Sequence, residues 1–316
     1  MKVTVIGAKG HVGTHLVPLL VECGHDVTAV SRGRREPYTP HAAWASVRSL
    51  FADRAAEEER GTFGETIAAL EPDAVIDLIC FTPKSQEMLI RALRGRCNHL
   101  LVCGTAWTHG HPTCVPAREC DPRHPFGEYG INKLAMERQL EAETRRGGLA
   151  GTTLHPGHIV GVGWAPLNPE GHFDPDVFRR ISRGEEILLP NLGMETVHHV
   201  HAEDVARLFA CCLSQWGQSV GEAFHAASER AMTLRGYAEA MYRWFGQEPR
   251  IQFVPWEVWK GQRPGQQVRY TWDHIAHSPN CSMEKAKRLL GFEPRWSSLA
   301  AVQQAVAWLQ ARDFTV

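Results

Sequence analysis

The N-terminal segment KVTVIGAKGHVGTHLVPLL constrains the fold most strongly, because it joins a β-branched run to a helical pattern through a glycine-rich turn. Residues 2–7 predict a buried strand, and residues 11–24 predict a helix that ends at a glycine. Gly7 suits a tight turn, Gly10 lets a pyrophosphate approach the backbone, and Gly13 lets the helix pack on the strand. Free N–H groups at the start of the helix favour phosphate, so the segment predicts a dinucleotide site. The residues of this turn predicted to bind the cofactor are Gly7, Lys9, Gly10, His11, Val12 and Gly13.

Strand and helix patterns alternate through the first half of the chain. Further strands are predicted at 26–32, 44–50, 73–80, 99–105 and 151–157, and further helices at 65–72, 84–95 and 128–146. Strands that alternate with helices of this length indicate βαβ units and a parallel sheet covered on both faces. The predicted fold class is therefore α/β: a Rossmann-like doubly wound parallel sheet with a smaller C-terminal substrate-binding domain.

The alternation stops after residue 157. The pattern then predicts a loop at 162–176, a strand leading into a helix at 195–213, a helix at 233–246, a strand at 250–255, and helices at 282–294 and 300–313. No linker divides the chain. We expect residues 1–155 to form an NAD(P)-binding Rossmann domain, completed by about 195–225. Residues 156–316 are expected to be mainly a substrate-binding domain, interleaved with that core.

Composition excludes several classes of function. The net charge is −1, which gives no electrostatic reason to expect nucleic acid or an anionic membrane as partner. No apolar run approaches the ~20 residues that span a bilayer, and the N-terminus does not read as a signal peptide. Nine cysteines without a CxxC pair indicate reduced thiols. We therefore expect a cytoplasmic protein whose partner is a small-molecule substrate.

The end of the second predicted strand, AVSRGRR, bears on the choice of cofactor. An NAD site usually has a carboxylate at this place, whereas arginine suits a 2′-phosphate. Ser31 and Arg32 stand here, followed by Arg34 and Arg35. The alternative is a solvated basic loop, but charge complementarity favours NADP over NAD. Asp53, after the third predicted strand, is a candidate hydrogen-bond partner for the adenine amino group.

A tyrosine and a lysine four residues apart, Tyr129 and Lys133, share one face of a predicted helix. They could be ordinary surface residues of an amphipathic helix. Together with GxxGxxG and the preceding CGTAWTHG, however, the chain resembles the extended short-chain dehydrogenase/reductase family, the NAD(P)-dependent epimerase/dehydratase group. The segments ETVHHVHAEDVA and SMEKAKRLLGFEP extend that resemblance over nearly the whole chain.

The resemblance implies a catalytic role for each of three residues. Tyr129 would be the acid/base for a substrate hydroxyl or carbonyl, Lys133 would lower its pKa and hold the nicotinamide ribose, and Thr105 would hydrogen-bond the substrate oxygen. By the same resemblance, Tyr129, Lys133, His155 and Pro156 would contact the cofactor. The family also implies a homodimer formed through two helices, one of them the Tyr/Lys helix.

Departures from the family pattern concern the substrate. Ala106 and Trp107 follow Thr105 where dehydratases and decarboxylases carry a carboxylate, so those reactions are disfavoured. Val197 stands where nucleotide-sugar epimerases tend to have an arginine, and His155-Pro156 replaces the usual Arg-Pro. A diphosphate clamp is poorly supported; Arg263 and Arg269 are the remaining candidates.

These observations predict an NAD(P)-dependent oxidoreductase or epimerase that acts on a hydroxyl or carbonyl group of a sugar-like or other small substrate. One-way oxidoreduction and epimerisation both stay open. The alternative from another class is a non-catalytic dinucleotide-binding redox sensor or an RNA-associated relative of the same fold.

Histidines and tryptophans supply the remaining candidates. No metal is expected, because no carboxylate or cysteine is spaced to complete a site with HPGH or HHVH. Trp164 is either core packing or part of an apolar pocket wall. The residues proposed to contact substrate are Trp107, His158, His199 and His201.

Overall fold

Thirteen strands lie within residues 1–315, the part of the chain that the computed structural model describes. They are β1 (Lys2–Ile6), β2 (Asp26–Ser31), β3 (Arg48–Phe51), β4 (Ala74–Asp77), β5 (His99–Cys103), β6 (Gly151–Pro156), β7 (His158–Val160), β8 (Ile187–Pro190), β9 (Thr196–Val197), β10 (His199–His201), β11 (Ala223–Ala226), β12 (Met232–Thr233) and β13 (Ile251–Val254).

Seven of these strands form one parallel sheet in the order β11-β6-β5-β4-β1-β2-β3. In β1, Val5 lies beside Ala29 of β2 on one side and Ile76 of β4 on the other. The inner strands are buried almost throughout because helices cover both faces, which leaves no face for water. The strand order reverses between β1 and β4, and ligands of such sheets bind at the carboxyl ends beside that reversal.

The helices follow the strands in chain order. They are α1 (Gly13–Glu22), α2 (Arg54–Glu59), α3 (Phe63–Ala68), α4 (Pro83–Leu93), α5 (Gly127–Arg145), α6 (Asp176–Ser182), α7 (Ala202–Ser214), α8 (Trp216–Ser219), α9 (Leu234–Trp244), α10 (Trp256–Lys260), α11 (Gly265–His277), α12 (Glu284–Leu290) and α13 (Ser298–Gln310).

Two apolar layers enclose the sheet. On one face Leu16 of α1, Phe209 of α7 and Leu290 of α12 share a core with the sheet residues. On the other face α3, α4 and α5 pack in a second cluster that includes Leu89 and Met136. The α/β class and the doubly wound parallel sheet predicted from the sequence are confirmed.

A separate core lies in the C-terminal part, where α6, α9 and α13 pack around Phe178, Tyr237 and Val306. Three two-stranded sheets support this part: β8 with β13, β9 with β12, and β7 with β10. Because α7, β11 and α12 return to the first core, the two regions are interleaved.

Three stretches differ from the pattern read in the sequence. The third strand is Arg48–Phe51, because Ala42–Ser46 forms a 3-10 helix capped by the His41 side chain. The strand His199–His201 pairs with β7, so the seventh strand of the main sheet is Ala223–Ala226 instead. Between residues 255 and 281, where no element was expected, the chain forms α10 and α11.

No helix within residues 1–315 is long and apolar enough to cross a membrane.

Candidate active site

The glycine-rich turn between β1 and α1 is closed to any side chain. Gly7 has φ +87°, and a Cβ on it would lie 2.8 Å from Cγ2 of Ile79. A Cβ on Gly13 would lie 2.2 Å from the carbonyl oxygen of Ala8, so helix and turn touch through backbone alone. The turn is fixed by a 2.9 Å hydrogen bond from Gly10 N to the Gly7 carbonyl. The turn thus stands at the N-terminus of α1, whose first N–H groups have no partner in the helix and suit a pyrophosphate.

A cavity of about 500 Å³ runs from this turn along the carboxyl ends of β1, β2 and β4. Asp53 lies in its wall and caps α2 by accepting a hydrogen bond from Ala56 N at 3.4 Å. Below it, Arg54 donates to both carboxylate oxygens of buried Asp77, at 2.8 and 2.9 Å. Size, depth and position fit the adenosine half of a dinucleotide.

The basic residues at the mouth of this cavity differ in their ionic partners. Lys9 pairs with Glu36 at 3.2 Å, Arg34 pairs with Asp53 at 3.6 Å, and Arg35 donates to the Tyr38 hydroxyl. Arg32 has no ion pair with any carboxylate of residues 1–315, although it lines the same cavity. Ser31 beside it accepts a hydrogen bond from Gly33 N at 3.3 Å. Arg32 and Arg35 are thus the two arginines of this mouth without a carboxylate partner, since the hydroxyl that Arg35 contacts is neutral, and Arg32 stands nearer the end of β2.

Three residues predicted to be catalytic meet at the ends of β4 and β5. Lys133 is 2% exposed, and its Nζ donates to the carbonyl oxygens of Cys80 at 2.7 Å and Cys103 at 2.6 Å. The same Nζ lies 5.7 Å from the centre of the Tyr129 ring, one turn earlier on α5. Thr105 follows β5 and accepts a hydrogen bond from Trp107 N at 3.3 Å, which starts a short 3-10 helix.

The acidity of Tyr129 differs from the sequence-based expectation. Although Tyr129 is 41% exposed as a whole residue, desolvation of its hydroxyl group raises its pKa to about 12, while hydrogen bonding to the Thr105 side chain acts in the opposite direction. The Lys133 ammonium does not outweigh that desolvation, since it is bound to two carbonyl groups rather than to the phenol.

The structure separates the other predicted site residues into two groups. Trp107 packs edge-on against Tyr129, with ring centres 5.9 Å apart, and edge-on to His158 at 6.5 Å. His199 lies 5.8 Å from His158, but its Nε2 bonds to the Leu167 carbonyl. Trp107 therefore contacts the phenol of Tyr129, His158 lies next to Trp107, and His199 lies behind His158.

The remaining predicted residues point elsewhere. His155 lies in β6 and its Nε2 contacts Glu137 of α5 at 2.8 Å; Pro156 follows it in the strand. His201 Nε2 contacts Gln304 at 2.7 Å, on the side of α13. Both imidazoles are fully or almost fully buried. The expectations that His155 contacts cofactor and His201 substrate gain no geometric support.

His11, within the glycine-rich turn, is 7% exposed, and neither ring nitrogen has a hydrogen-bond partner within residues 1–315. It stacks on Trp164 with ring centres 4.6 Å apart, and Tyr38 packs against it edge-on. The loop after β2 and the loop after β7 therefore meet over the turn, with Val12 directly below it as the residue before α1.

The sequence profile of the NAD dependent epimerase/dehydratase family matches residues 3–227. The chain belongs to this family. It is an enzyme of the extended short-chain dehydrogenase/reductase type, as the resemblance implied.

Individual relatives have different functions. The 2'-dehydrokanamycin reductase of Streptomyces kanamyceticus is 28% identical over 257 residues, which cover 81% of this chain and 70% of that protein. The chloroplast stem-loop binding protein of 41 kDa b of Arabidopsis thaliana is 26% identical, covering 93% of this chain and 75% of its own. The UDP-glucose 4-epimerase of Thermotoga maritima, solved with UDP-glucose, superposes with a TM-score of 0.74 at 21% identity and covers 99% of both chains; at that identity the likeness shows the fold alone.

Two residues near the epimerase-family tyrosine were not foreseen, His274 and His277 of α11. His277 stacks on Trp107 with ring centres 4.1 Å apart, and His274 lies 5.3 Å from the same ring. Their spacing of three places both on one helical face, which is the one signal that the sequence contains. Within residues 1–315 no group of three or more His, Cys, Asp or Glu side chains is arranged to hold a metal.

Lys133→Met should lower the free energy of unfolding by about 1–3 kcal/mol, because it leaves two buried carbonyl groups without a donor. Chemical denaturation measures this loss. Lys84→Met on the exposed face of α4 is the matched control and should change stability by less than about 0.5 kcal/mol. A Lys133→Met protein as stable as wild type would show that the ammonium does not secure α5 to the sheet.

Proposed function

We propose that this protein is an NADP-preferring oxidoreductase or epimerase that acts on a hydroxyl or carbonyl group of a sugar-like or other small substrate, with Tyr129 as acid/base. The observation that carries the proposal is the convergence of Thr105, Tyr129 and Lys133 beside the glycine-rich turn. A bound dinucleotide supplies or accepts the hydride.

The chain's own residues would handle the proton. In the reducing direction the substrate carbonyl carbon gains a hydride and its oxygen takes the proton of the Tyr129 hydroxyl. The Thr105 hydroxyl would hydrogen-bond the same oxygen, and Lys133, anchored by the carbonyls of Cys80 and Cys103, would stabilise the phenolate left behind. Oxidation reverses each step, and epimerisation uses both directions in turn.

Elimination reactions lack their base. Ala106 and Trp107 follow Thr105, and neither can abstract a proton. We therefore propose plain oxidoreduction or epimerisation rather than dehydration or decarboxylation. The similarity to a 2'-dehydrokanamycin reductase is compatible with the one-way reaction.

An RNA-associated function deserves comparison, because one relative is named as a stem-loop binding protein. A net charge of −1 gives no general attraction for the phosphate backbone. A protein that only binds RNA would not need Thr105, Tyr129 and Lys133 to lie close together. Catalysis is therefore the function that the site supports best.

Tyr129→Phe should reduce turnover at least about 100-fold, since it removes the group that exchanges the proton. The dissociation constant for NADPH should change by less than about threefold, because the ring and its packing on Trp107 remain. Activity with a panel of sugars and ketones, together with a fluorescence titration of NADPH, measures both quantities. Normal turnover by the Phe variant would refute the acid/base assignment.

The choice of NADP rests on Arg32. Arg32→Glu should weaken NADP binding about tenfold or more, since it removes a cation that would pair with the 2′-phosphate and adds a repelling charge. NAD binding should change much less. Arg60→Glu, the same charge change at an exposed site outside the cavity, is the control. Equal losses for NADP and NAD in parallel titrations would contradict the preference.

We also propose a homodimer through α4 and α5, which pack side by side. Gln86 of α4 donates to the Met136 carbonyl of α5, and Arg94, directly after α4, donates to Glu143 of α5. Ile131 on the outer side of α5 is 51% exposed and would lie in the interface. Light scattering should give twice the monomer mass for the wild type and the monomer mass for Ile131→Asp. A monomeric wild-type protein would rule the dimer out.

A further inference from the structure

Four stacked aromatic and imidazole rings connect α11 to the start of the Tyr/Lys helix. Trp107 stacks on His277 at 4.1 Å, His277 on Phe126 at 4.0 Å, and Phe126 on His111 at 4.2 Å. Phe126 is the N-cap residue of α5, three positions before Tyr129. The stack therefore holds Trp107 against the phenol of Tyr129. A substrate whose oxygen reaches that phenol must lie close to Trp107.

A second group of rings continues this surface away from the cofactor cavity. His274 lies 4.7 Å from His158, 5.3 Å from Trp107 and 5.4 Å from Phe173. Burial lowers the pKa of His274 and His277 to about 4 and the pKa of His158 well below its ordinary value. These imidazoles are therefore neutral at pH 7. Together with Trp107 and Phe173 they form a wall of uncharged rings.

The wall contains polar atoms as well as ring faces. His158 Nε2 is buried and has no hydrogen-bond partner within residues 1–315, and the same holds for His277 Nε2. A neutral imidazole nitrogen can donate or accept one hydrogen bond. Both atoms are shielded from solvent, so a ligand hydroxyl would satisfy them only after a shift of the imidazole ring. The ring faces suit the C–H faces of a hydroxylated ring.

Positive charge that could bind phosphate is neutralised nearby. Of the two arginines that the sequence offers for a diphosphate, Arg263 donates from Nε to the carboxylate of Glu170 at 2.8 Å. Glu170 is completely buried and also lies 3.6 Å from Arg180. Arg269 is exposed and has no ion pair within residues 1–315, but it lies five residues before His274 on α11 and therefore on another face of the helix. Within residues 1–315, the one cation recorded over Tyr129, Trp107 or His-wall rings is Lys133, which is already bound to two carbonyl groups.

We propose that the substrate is a polyhydroxylated ring that carries no phosphate, bound against Trp107, His158 and His274, and not a nucleoside diphosphate sugar. This inference rests on the proposed function and specifies its substrate class. A diphosphate at this wall would lose water without gaining a cation, which is unfavourable. A neutral hydroxylated ligand would bury its C–H surface against the protein's aromatic and imidazole rings. Its hydroxyl groups would form hydrogen bonds with imidazole nitrogens that have no other partner.

Calorimetric titration of the enzyme–NADPH complex tests the proposal. The phosphate-free probes are methyl α-D-glucoside, methyl α-D-galactoside and myo-inositol, and the phosphate-bearing probes are glucose 1-phosphate and UDP-glucose. We expect at least one phosphate-free ring to bind, and both phosphate-bearing probes to bind it at least about tenfold more weakly. Tighter binding of glucose 1-phosphate or UDP-glucose would overturn the proposal, as would the failure of every phosphate-free ring to bind.

Variants locate the binding at the wall. Trp107→Ala should weaken the phosphate-free ring about tenfold or more, and Trp107→Phe should restore most of the affinity, because it keeps a ring in the stack. Trp216→Ala removes an exposed tryptophan of α8 and should change nothing. Unchanged binding by Trp107→Ala would overturn the assignment of the wall.

The same measurements separate this inference from the proposed function. NADPH binding to the wild type and loss of turnover in Tyr129→Phe report on the catalytic proposal alone. If both hold while UDP-glucose binds tightly, the function stands and the substrate class is wrong. If NADPH does not bind, the function itself fails.

Discussion

The active site depends on one buried ammonium. Lys133 leaves water almost completely, which is costly unless its donors are satisfied, and the carbonyl oxygens of Cys80 and Cys103 satisfy two of them. Those carbonyls stand at or just beyond the ends of β4 and β5. The lysine therefore attaches α5 to the carboxyl ends of β4 and β5, which is where ligands of such sheets bind. Because Tyr129 lies one turn earlier on the same helix, its position is fixed as well. Stability and catalysis share this residue, so the Tyr/Lys spacing is also a packing constraint.

The parts of the fold that the sequence predicts are those governed by local patterns. The glycine-rich turn after β1, the alternation of strands and helices and the α5 helix depend on residues close together in the chain, and all are confirmed. The strand Ala223–Ala226 was missed because it is four residues long, and only its pairing with β6 makes it a strand. Likewise α11 lacks a clear apolar repeat; its buried face consists of Thr271, His274, Ile275 and His277, three of them polar. Distant contacts decide both elements.

Charges give the same lesson at the cofactor site. The sequence shows several basic residues near the end of β2, but not which of them already have partners. In the folded chain Lys9 pairs with Glu36 and Arg34 pairs with Asp53, whereas Arg32 and Arg35 have no carboxylate partner within residues 1–315 and can act on a ligand. Asp53 in turn has two tasks within the protein, as an ion-pair partner and as the cap of α2. An adenine contact would have to compete with both.

Membership of the family therefore predicts the cofactor half of the site better than the substrate half. The cofactor half is built from backbone and a closed glycine turn, and any chain with that turn will offer it. The proposed substrate half contains Trp107, His158 and His274, which belong to three segments far apart in sequence. The arginine Arg263 is not available to a ligand there, because it is paired with the buried Glu170. Relatives that share the turn need not share these side chains, so the similarity to UDP-glucose epimerases transfers the fold without the ligand. By the substrate proposal made above, what this enzyme accepts is determined where α11 meets the Tyr/Lys helix, and there the surface consists of neutral rings.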